Sequence, residues 1–187
     1  MESACDLLIA LDAGHGGWDG GAIFLNRREK DDNLRLALKV GGKLQDLGLQ
    51  TLMIRSGDYY VPPEKRAEFA NKNDADLFVS FHRACSAKPN EDAGGVECYV
   101  YLTAPLEETG RAAQLILSEL DAAGVQRIIG VSRGNYGVLR RVSPPAVLLN
   151  MGFINNETDN NLFDRKLDSY AEAIAKGISG YFGLLSG

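Results

Sequence analysis

The chain has 187 residues, of which 45% are apolar and 24% are charged, and its formal net charge is −5. These values are typical of a globular protein with a substantial core, so we expect one domain over residues 1–187. The acidic balance and the lack of a dense Lys/Arg block argue against nucleic acid or an anionic membrane as a partner. No apolar run approaches the roughly 18 residues of a membrane span, which argues against membrane insertion.

The N-terminal residues 1–6 lack the basic start and the apolar stretch of a secretory signal peptide. We therefore expect a cytosolic protein, a processed or recombinant fragment, or export by a phage-type route. The cysteines are odd in number and show no CxxC spacing, which favours free thiols or small core residues over disulfides; they are Cys5, Cys85 and Cys98. A less favoured alternative is that Cys85, close to His82, acts as a soft metal ligand.

Apolar runs of strand length alternate with segments of helical period, which predicts an α/β fold. We expect a mostly parallel central sheet of about six strands, with helices on both faces. The predicted strands span residues 7–11, 50–55, 75–81, 96–102 and 146–151. The predicted helices run from a cap at Asp31 or Asp32 to Gly48, from Pro62 to about Asn73, over 106–123, and over a final segment from Leu167 to Tyr181. Residues 83–94 and the glycine-rich residues 130–137 are predicted loops, the second of them mobile.

The chain contains two histidines, and each lies where an apolar run stops. His15 follows the first predicted strand within a glycine-rich loop, and His82 closes the third. Ligands of open α/β sheets bind beyond the carboxyl ends of the strands, so both imidazoles are expected at one edge. Together with Glu29 they form a candidate set of two histidines and one carboxylate, which is typical of a catalytic zinc site. The alternative is two hydrogen-bonded histidines and a solvated Glu29.

Five ordered blocks, which span nearly the whole chain, carry a family resemblance. They are DAGHGGWDGGA (12–22), EKDDNL (29–34), RAEFAN with ADLFVSFHRA (66–71 and 75–84), GGVE (94–97) and PAVLLNMGFINN (145–156). The chain resembles the zinc-dependent N-acetylmuramoyl-L-alanine amidases, the amidase-3 family of peptidoglycan hydrolases. The resemblance implies a single α/β domain in which His15, Glu29 and His82 bind zinc.

The resemblance also implies the reaction and its setting. Members of the family hydrolyse the amide bond between the lactyl group of N-acetylmuramic acid and the L-alanine of the stem peptide. Zinc activates the attacking water, and a glutamate in the last strand handles the protons. We therefore expect a peptidoglycan or muropeptide substrate and action at the cell wall outside the cell, as an autolysin or an endolysin. A monomer is expected, with an activator protein as an additional partner.

The sequence departs from the family pattern at Asn150, which occupies the position of the catalytic glutamate. An amide cannot take up and return a proton near neutral pH, and such proton transfer typically contributes 10²–10⁴-fold to a rate. Three explanations stay open: another group or protein compensates, the residue is an engineered knockout, or the chain is a binding-only relative. Glu97 is a candidate substitute acid, with a paired strand carboxylate as the alternative. A zinc peptidase that cuts within the stem peptide is a further reading.

Basic and aromatic side chains supply candidate substrate contacts. Arg83, directly after His82, is predicted to bind an anionic stem-peptide carboxylate or glycan, with a surface salt bridge as the alternative. Arg140 and its neighbours beside the glycine-rich residues 130–137 are predicted to line a groove for an acidic substrate, with a solvated face as the alternative. Tyr59 and Tyr60 are candidates for stacking on sugars, with packing as the alternative.

Overall fold

Apolar segments form a six-stranded sheet in the order β4-β1-β5-β8-β6-β7. A computed structural model describes residues 6–87 and 93–184 of the chain; Cys5 lies outside the described residues. The strands of the sheet are β1 (Leu8–Ala13), β4 (Gln50–Met53), β5 (Leu77–Ala84), β6 (Val96–Tyr101), β7 (Ile128–Gly134) and β8 (Ala146–Phe153). Strand β6 is antiparallel to β8, and the other neighbours are parallel. The predicted mostly parallel α/β sheet is confirmed.

The helices cover the two faces of the sheet unequally. They are α1 (Glu29–Asp46), α2 (Pro63–Lys72), α3 (Arg111–Ala122), α4 (Gly137–Arg141) and α5 (Glu157–Tyr181). Apolar residues of α1, α3 and α5 form the main core against one face, whereas α2 and α4 shelter a smaller cluster on the other. The second face is therefore only partly covered and leaves room for a cleft. No helix among the described residues is long and apolar enough to span a membrane.

Helix α1 begins earlier than predicted, and neither Asp31 nor Asp32 caps it. The preceding segment contains a short hairpin, β2 (Ile23–Phe24) with β3 (Arg27–Arg28). The backbone N–H groups of Glu29 and Lys30 donate to the carbonyl oxygens of Ala22 and Gly20, at 2.9 and 3.2 Å. Loop carbonyls thus satisfy donors that an N-terminal capping side chain would otherwise occupy. This start places Glu29 in the first turn of the helix, facing inward.

The prediction of a mobile loop over 130–137 is wrong. Residues Ile128–Gly134 form the edge strand β7, which pairs with β6, and Gly137–Arg141 form helix α4. Glycines weaken a strand signal in the sequence, but backbone pairing with a formed neighbour does not depend on side chains. Four other elements extend beyond their predicted bounds. Strand β1 ends at Ala13 and β8 at Phe153. Strand β5 continues to Ala84 because it stays paired with β8, and α5 begins at Glu157 because the Asn156 side chain accepts the Asp159 N–H.

Candidate active site

Three side chains from separate elements converge beyond the carboxyl end of β1 and along β5. They are His15 from the loop after β1, Glu29 from the first turn of α1 and His82 from β5. The Glu29 Oε1 atom lies 3.3 Å from His15 Nε2 and 2.8 Å from His82 Nδ1. One ligand atom from each residue can be chosen so that all three lie within 4.8 Å of one another. The structure therefore brings together the three residues that the sequence singled out.

Close backbone approaches explain the glycines around this group. A Cβ atom at Gly14 would collide with the His82 imidazole, and one at Gly21 would lie 2.6 Å from both Glu29 Oε2 and His15 Cδ2. His15 itself has a φ of +63°, a left-handed conformation that is uncommon for residues other than glycine. The loop thus curls tightly enough to turn His15 back toward Glu29 and His82.

Hydrogen bonds orient the Glu29 carboxylate. Glu29 accepts from the backbone N–H groups of Ala22 at 2.8 Å and Arg83 at 3.1 Å. Burial alone would raise the pKa of Glu29, but hydrogen bonds and charge from His15 and His82 outweigh it and hold the pKa well below its usual value. The carboxylate is therefore ionised at neutral pH, as metal binding requires.

Asp19 orients His15 from the opposite side of the ring. Its Oδ2 atom lies 2.9 Å from His15 Nδ1. Burial would lower the pKa of His15, but Glu29 and Asp19 together raise it. A carboxylate on one ring nitrogen fixes the tautomer and directs the other nitrogen, here Nε2, toward a metal. Two imidazoles and one ionised carboxylate, with such a supporting contact, fit the donor set of a catalytic zinc site that keeps one position open.

Two buried arginines hold the His15 loop in place, a role that was not predicted from the sequence. Arg55 is fully buried. Its guanidinium donates to three carbonyl oxygens, those of Ala13, Gly14 and Lys30, at 2.7, 3.1 and 2.8 Å. Arg66, on α2, donates to the carbonyl oxygens of Ala13 and His15, each at 2.7 Å. An arginine that ends an apolar strand run, as Arg55 does, is the signal that could have revealed this role.

Substituting Arg66 with methionine should lower the free energy of unfolding by about 3–5 kcal/mol, the range for breaking a buried ion pair. Arg66 lies 2.7 Å from Asp12 Oδ1, and the Asp12 carboxylate is 1% exposed. Without Arg66, Asp12 keeps the Ser80 hydroxyl at 2.7 Å as its side-chain partner. Urea unfolding measures the change. The neighbouring exposed Lys65→Met is the control and should cost less than about 1 kcal/mol; equal effects would contradict this role.

A cleft of about 190 Å³ opens beside the group on the thinly covered face of the sheet. His15 and His82 lie in its lining, and Tyr60, Arg66 and Val138 form part of its walls. The lining residues come from β1 and the loop after it, from the start of α2 and the segment before it, from α4, and from β5 and β8. The candidate metal group therefore faces a space in which a substrate can reach it.

A sequence model of the family described as N-acetylmuramoyl-L-alanine amidase matches residues 9–180. This chain belongs to that family. The Bacillus subtilis protein YqiI, itself uncharacterised, is 34% identical over 176 residues, which cover 93% of this chain and 84% of YqiI. The germination-specific N-acetylmuramoyl-L-alanine amidase of Bacillus subtilis is 29% identical over 193 residues, with 94% and 79% covered.

Solved structures agree with the sequence match. The crystal structure of N-acetylmuramoyl-L-alanine amidase from Clostridium difficile 630 has a TM-score of 0.88 and 31% identity to this chain, covering 94% of this chain and 96% of that one. The catalytic domain of CwlV, an amidase from Bacillus (Paenibacillus) polymyxa var. colistinus, has a TM-score of 0.86 and 29% identity, with 96% and 99% covered. The sheet and its helices are thus those of amidases of this family.

Asn150 lies beside the candidate metal group of this amidase-family chain. It is paired in register with His82 on β5 and with Glu97 on β6. Residues paired across neighbouring strands point to the same face of a sheet, so the three side chains form a row. The Glu97 carboxylate accepts a hydrogen bond from the Tyr99 hydroxyl at 2.8 Å. Asn150 is therefore next to a metal-binding histidine candidate and next to a carboxylate.

The structure corrects the interpretation of Arg83. Its side chain is 0% exposed; it forms an ion pair with Asp32, donates to Asn160 Oδ1 at 2.7 Å, and its guanidinium carbon lies 4.6 Å from the centroid of the Phe163 ring. Burial lowers the pKa of Arg83 to about 10. Both expectations, a substrate contact and a surface salt bridge, are therefore wrong, because the guanidinium is buried against Asp32, Asn160 and the Phe163 ring.

The remaining candidates are not members of the three-residue group. Arg140 is exposed on α4, where it lies 3.3 Å from Asn135 Oδ1, and α4 also supplies Val138 to the cleft wall. Cys98 is buried in the main core, which fits the expectation of a small core residue. Cys85 is exposed and is not one of the three side chains that converge as a candidate metal group.

Proposed function

We propose that this chain hydrolyses the amide bond between N-acetylmuramic acid and L-alanine in bacterial peptidoglycan and that the reaction depends on zinc. The observation that carries the proposal is the convergence of His15, Glu29 and His82 beside an open cleft, in a chain that belongs to the amidase family. Zinc held by this group would polarise the scissile carbonyl and lower the pKa of a bound water to about 7.

The surrounding residues prepare the site for that chemistry. Asp19 fixes the His15 ring, the backbone N–H groups of Ala22 and Arg83 fix the Glu29 carboxylate, and Arg66 holds the loop carbonyls. Rigid ligands spare the reaction the cost of reorganisation. The Asn150 amide, in the row with His82, supplies hydrogen bonds that position water or the substrate carbonyl but transfers no proton.

Proton transfer is the step for which this chain differs from the family pattern. Glu97 is the neighbouring carboxylate on the same face of the sheet, and it accepts a hydrogen bond from the Tyr99 hydroxyl at 2.8 Å. Burial, and then the bond to Glu97, raise the pKa of Tyr99, so the phenol remains protonated and keeps donating. Glu97 is therefore the compensating base that we propose for the unsubstituted chain.

Product analysis tests the proposed reaction. Zinc-loaded protein is incubated with purified peptidoglycan, and newly exposed amino termini are identified after labelling. Release of L-alanine amino termini is the expected result, and the mass of the products should show muramic acid without attached L-alanine. Products in which L-alanine stays on muramic acid would instead assign a peptidase that cuts within the stem peptide. A metal-free preparation is the control for the dependence on zinc.

A second candidate function is zinc-containing recognition of peptidoglycan without cleavage. Asn150 favours it, because the amide in the row with His82 cannot take up a proton. This candidate predicts muropeptide binding by calorimetry with no release of amino termini. A titration that detects no binding would exclude it.

Location, partners and the outer substrate contacts follow from the proposed substrate. Peptidoglycan lies outside the membrane, so we propose that the chain acts at the cell wall, as a monomer or with an activator protein. Arg140, on the helix that flanks the cleft, is the proposed contact for an acidic stem-peptide carboxylate. Arg83 has no part in this contact because it is buried.

Substituting Asp19 with asparagine should weaken zinc binding by about 10- to 100-fold, the usual effect of removing an outer carboxylate from a metal-bound histidine. The amide preserves the shape of the side chain but removes the charge that lies 2.9 Å from His15 Nδ1. Competition with a zinc-binding dye measures the affinity. Asp31→Asn, an exposed position in the first turn of α1, is the matched control. Equal affinities for the two variants would remove Asp19 from the site.

A further inference from the structure

The single tryptophan of the chain, Trp18, lies at the edge of the site with 80% of its surface exposed. It is in the turn between His15 and Asp19, and its ring packs on Tyr60 with a distance of 4.3 Å between centroids and an angle of 36° between planes. A contiguous apolar surface that is left in solvent can mark a ligand groove, and Trp18 is continuous with Tyr60, which lines the cleft. The contact with Tyr60 leaves most of the indole in solvent, so packing inside the protein does not account for its position.

Hydrogen bonds fix the backbone of the turn that contains Trp18, although the Trp18 side chain is exposed. Gly16 and Asp19 exchange backbone hydrogen bonds of 2.9 and 3.2 Å across the turn. The Gly17 N–H donates to Asp58 Oδ1 at 2.8 Å, and Lys30 Nζ donates to the Gly17 carbonyl at 2.9 Å. Because Asp58 precedes Tyr60 in the same segment, these bonds fix the two aromatic rings together. A platform ordered in advance loses little entropy when a ligand binds.

The position of this aromatic pair connects it with the candidate metal group. Tyr60 lines the cleft together with His15 and His82, and Asp19, at the end of the Trp18 turn, holds the His15 ring. A ligand that rests on Trp18 and Tyr60 therefore extends directly toward the three converging side chains. The opposite wall, at Val138 on α4, is left for another part of the same ligand.

The chemistry of the platform fits a sugar ring. Two adjacent charges neutralise each other, because Lys30 Nζ lies 2.6 Å from Asp58 Oδ2, and the Asp19 carboxylate is turned to His15 Nδ1 at 2.9 Å. An aromatic surface without net charge does not select a charged peptide terminus, but it suits the apolar C–H face of a pyranose, whose hydroxyl and acetamido groups remain in water at the rim. We propose that Trp18 and Tyr60 form a stacking subsite for an N-acetylhexosamine ring of the substrate glycan. This inference rests on the proposed function, which supplies a glycan to the cleft.

Tryptophan fluorescence tests the subsite directly, because all of the tryptophan emission of this chain comes from Trp18. Titration with N-acetylglucosamine oligosaccharides should give a saturable change in emission. By calorimetry, Trp18→Ala should weaken oligosaccharide binding by about tenfold, and Trp18→Phe should retain most of it, since a phenyl ring still stacks. Trp18 is exposed, so thermal melting should show that both variants stay folded.

The control variant is Ile129→Ala, which removes an apolar side chain of 41% exposure from β7, at the edge of the sheet farthest from β4. Its oligosaccharide affinity should equal that of the unsubstituted chain. An emission that responds to the free stem peptide but not to oligosaccharides would overturn the sugar subsite, as would unchanged binding in Trp18→Ala. If the emission responds to neither ligand, the sugar subsite is also overturned, and the exposed Trp18 ring would then be assigned to contact with a protein partner.

The outcome for the subsite is separable from that of the proposed reaction. Oligosaccharide binding that depends on Trp18, together with no release of L-alanine amino termini, would retain the subsite and reject hydrolysis. Normal amide hydrolysis with the same KM for peptidoglycan in Trp18→Ala and Ile129→Ala would reject the subsite and retain the reaction. The expected result is a raised KM in Trp18→Ala with kcat nearly unchanged, because the ring binds substrate at a distance from the reacting bond.

Discussion

Replacing Asn150 with glutamate should raise the rate of amide hydrolysis by about 10²–10⁴-fold, the usual contribution of a positioned general acid or base. The residue is in register with His82, and its side chain points to the same face of the sheet. A carboxylate there can accept a proton from the attacking water and return it to the leaving amine, which an amide cannot do. The measurement is kcat/KM for the release of L-alanine amino termini by zinc-loaded protein.

Asn150→Gln is the matched control for this gain. Glutamine has the length of glutamate but lacks its basicity, so it should leave the rate near that of the unsubstituted chain. A similar gain in both variants would assign the effect to side-chain length instead of proton transfer. No activity in any of the three proteins would contradict the proposed hydrolysis and favour recognition without cleavage.

The same experiment separates Glu97 from Asn150. If Glu97 supplies the proton transfer in the unsubstituted chain, Glu97→Gln should lower its residual rate by a factor in the same range. In Asn150→Glu the loss should be much smaller, because the new carboxylate takes over the step. Equal losses in both backgrounds would instead indicate that Glu97 acts by holding Tyr99, to which it is hydrogen-bonded.

Substituting Glu29 with glutamine should abolish stable zinc binding and reduce hydrolysis to background. Glutamine preserves the buried shape and can still accept from Ala22 N–H, but it lacks the charge of the ligand. Zinc content after dialysis and the zinc-dependent shift in unfolding measure the effect. At zinc concentrations about 100 times Kd, binding should stabilise the unsubstituted chain by about 2.7 kcal/mol, and Glu29→Gln should lose this stabilisation.

His15→Ala and His82→Ala should lower zinc occupancy in the same way, because each removes one of three protein ligands. Glu68→Gln, an exposed carboxylate on α2, is the control and should retain both zinc and the shift in unfolding. Full occupancy in any one of the three site variants would remove that residue from the ligand set. Loss in all three, with retention in the control, is the result that the convergent geometry predicts.

The main architecture was predictable because burial leaves a local pattern. Strands β1, β5 and β8 are buried on both faces and therefore appear as apolar runs, whereas α1 and α5 show the helical period of one buried stripe. Strand β7 lacks such a pattern: it lies at the edge of the sheet, contains two glycines and is only partly buried. Strand β7 is held to β6 by backbone hydrogen bonds, and these leave no pattern in a single sequence.

The sequence by itself determined the family and supplied the three candidate ligands, because these depend on residue identity and order. The departure at Asn150 is a prediction from the same order of residues. The tertiary structure alone decided that Arg83 is buried, that Arg66 pairs with Asp12 and that Trp18 projects into solvent. Whether an arginine faces solvent or a buried aspartate, and whether a tryptophan packs or projects, depends on contacts between residues far apart in the chain. Trp18 with Tyr60, and Arg83 with Asp32, are such pairs. Such contacts, whether between aromatic rings or between charges, follow no sequence period, so only the folded chain defines them.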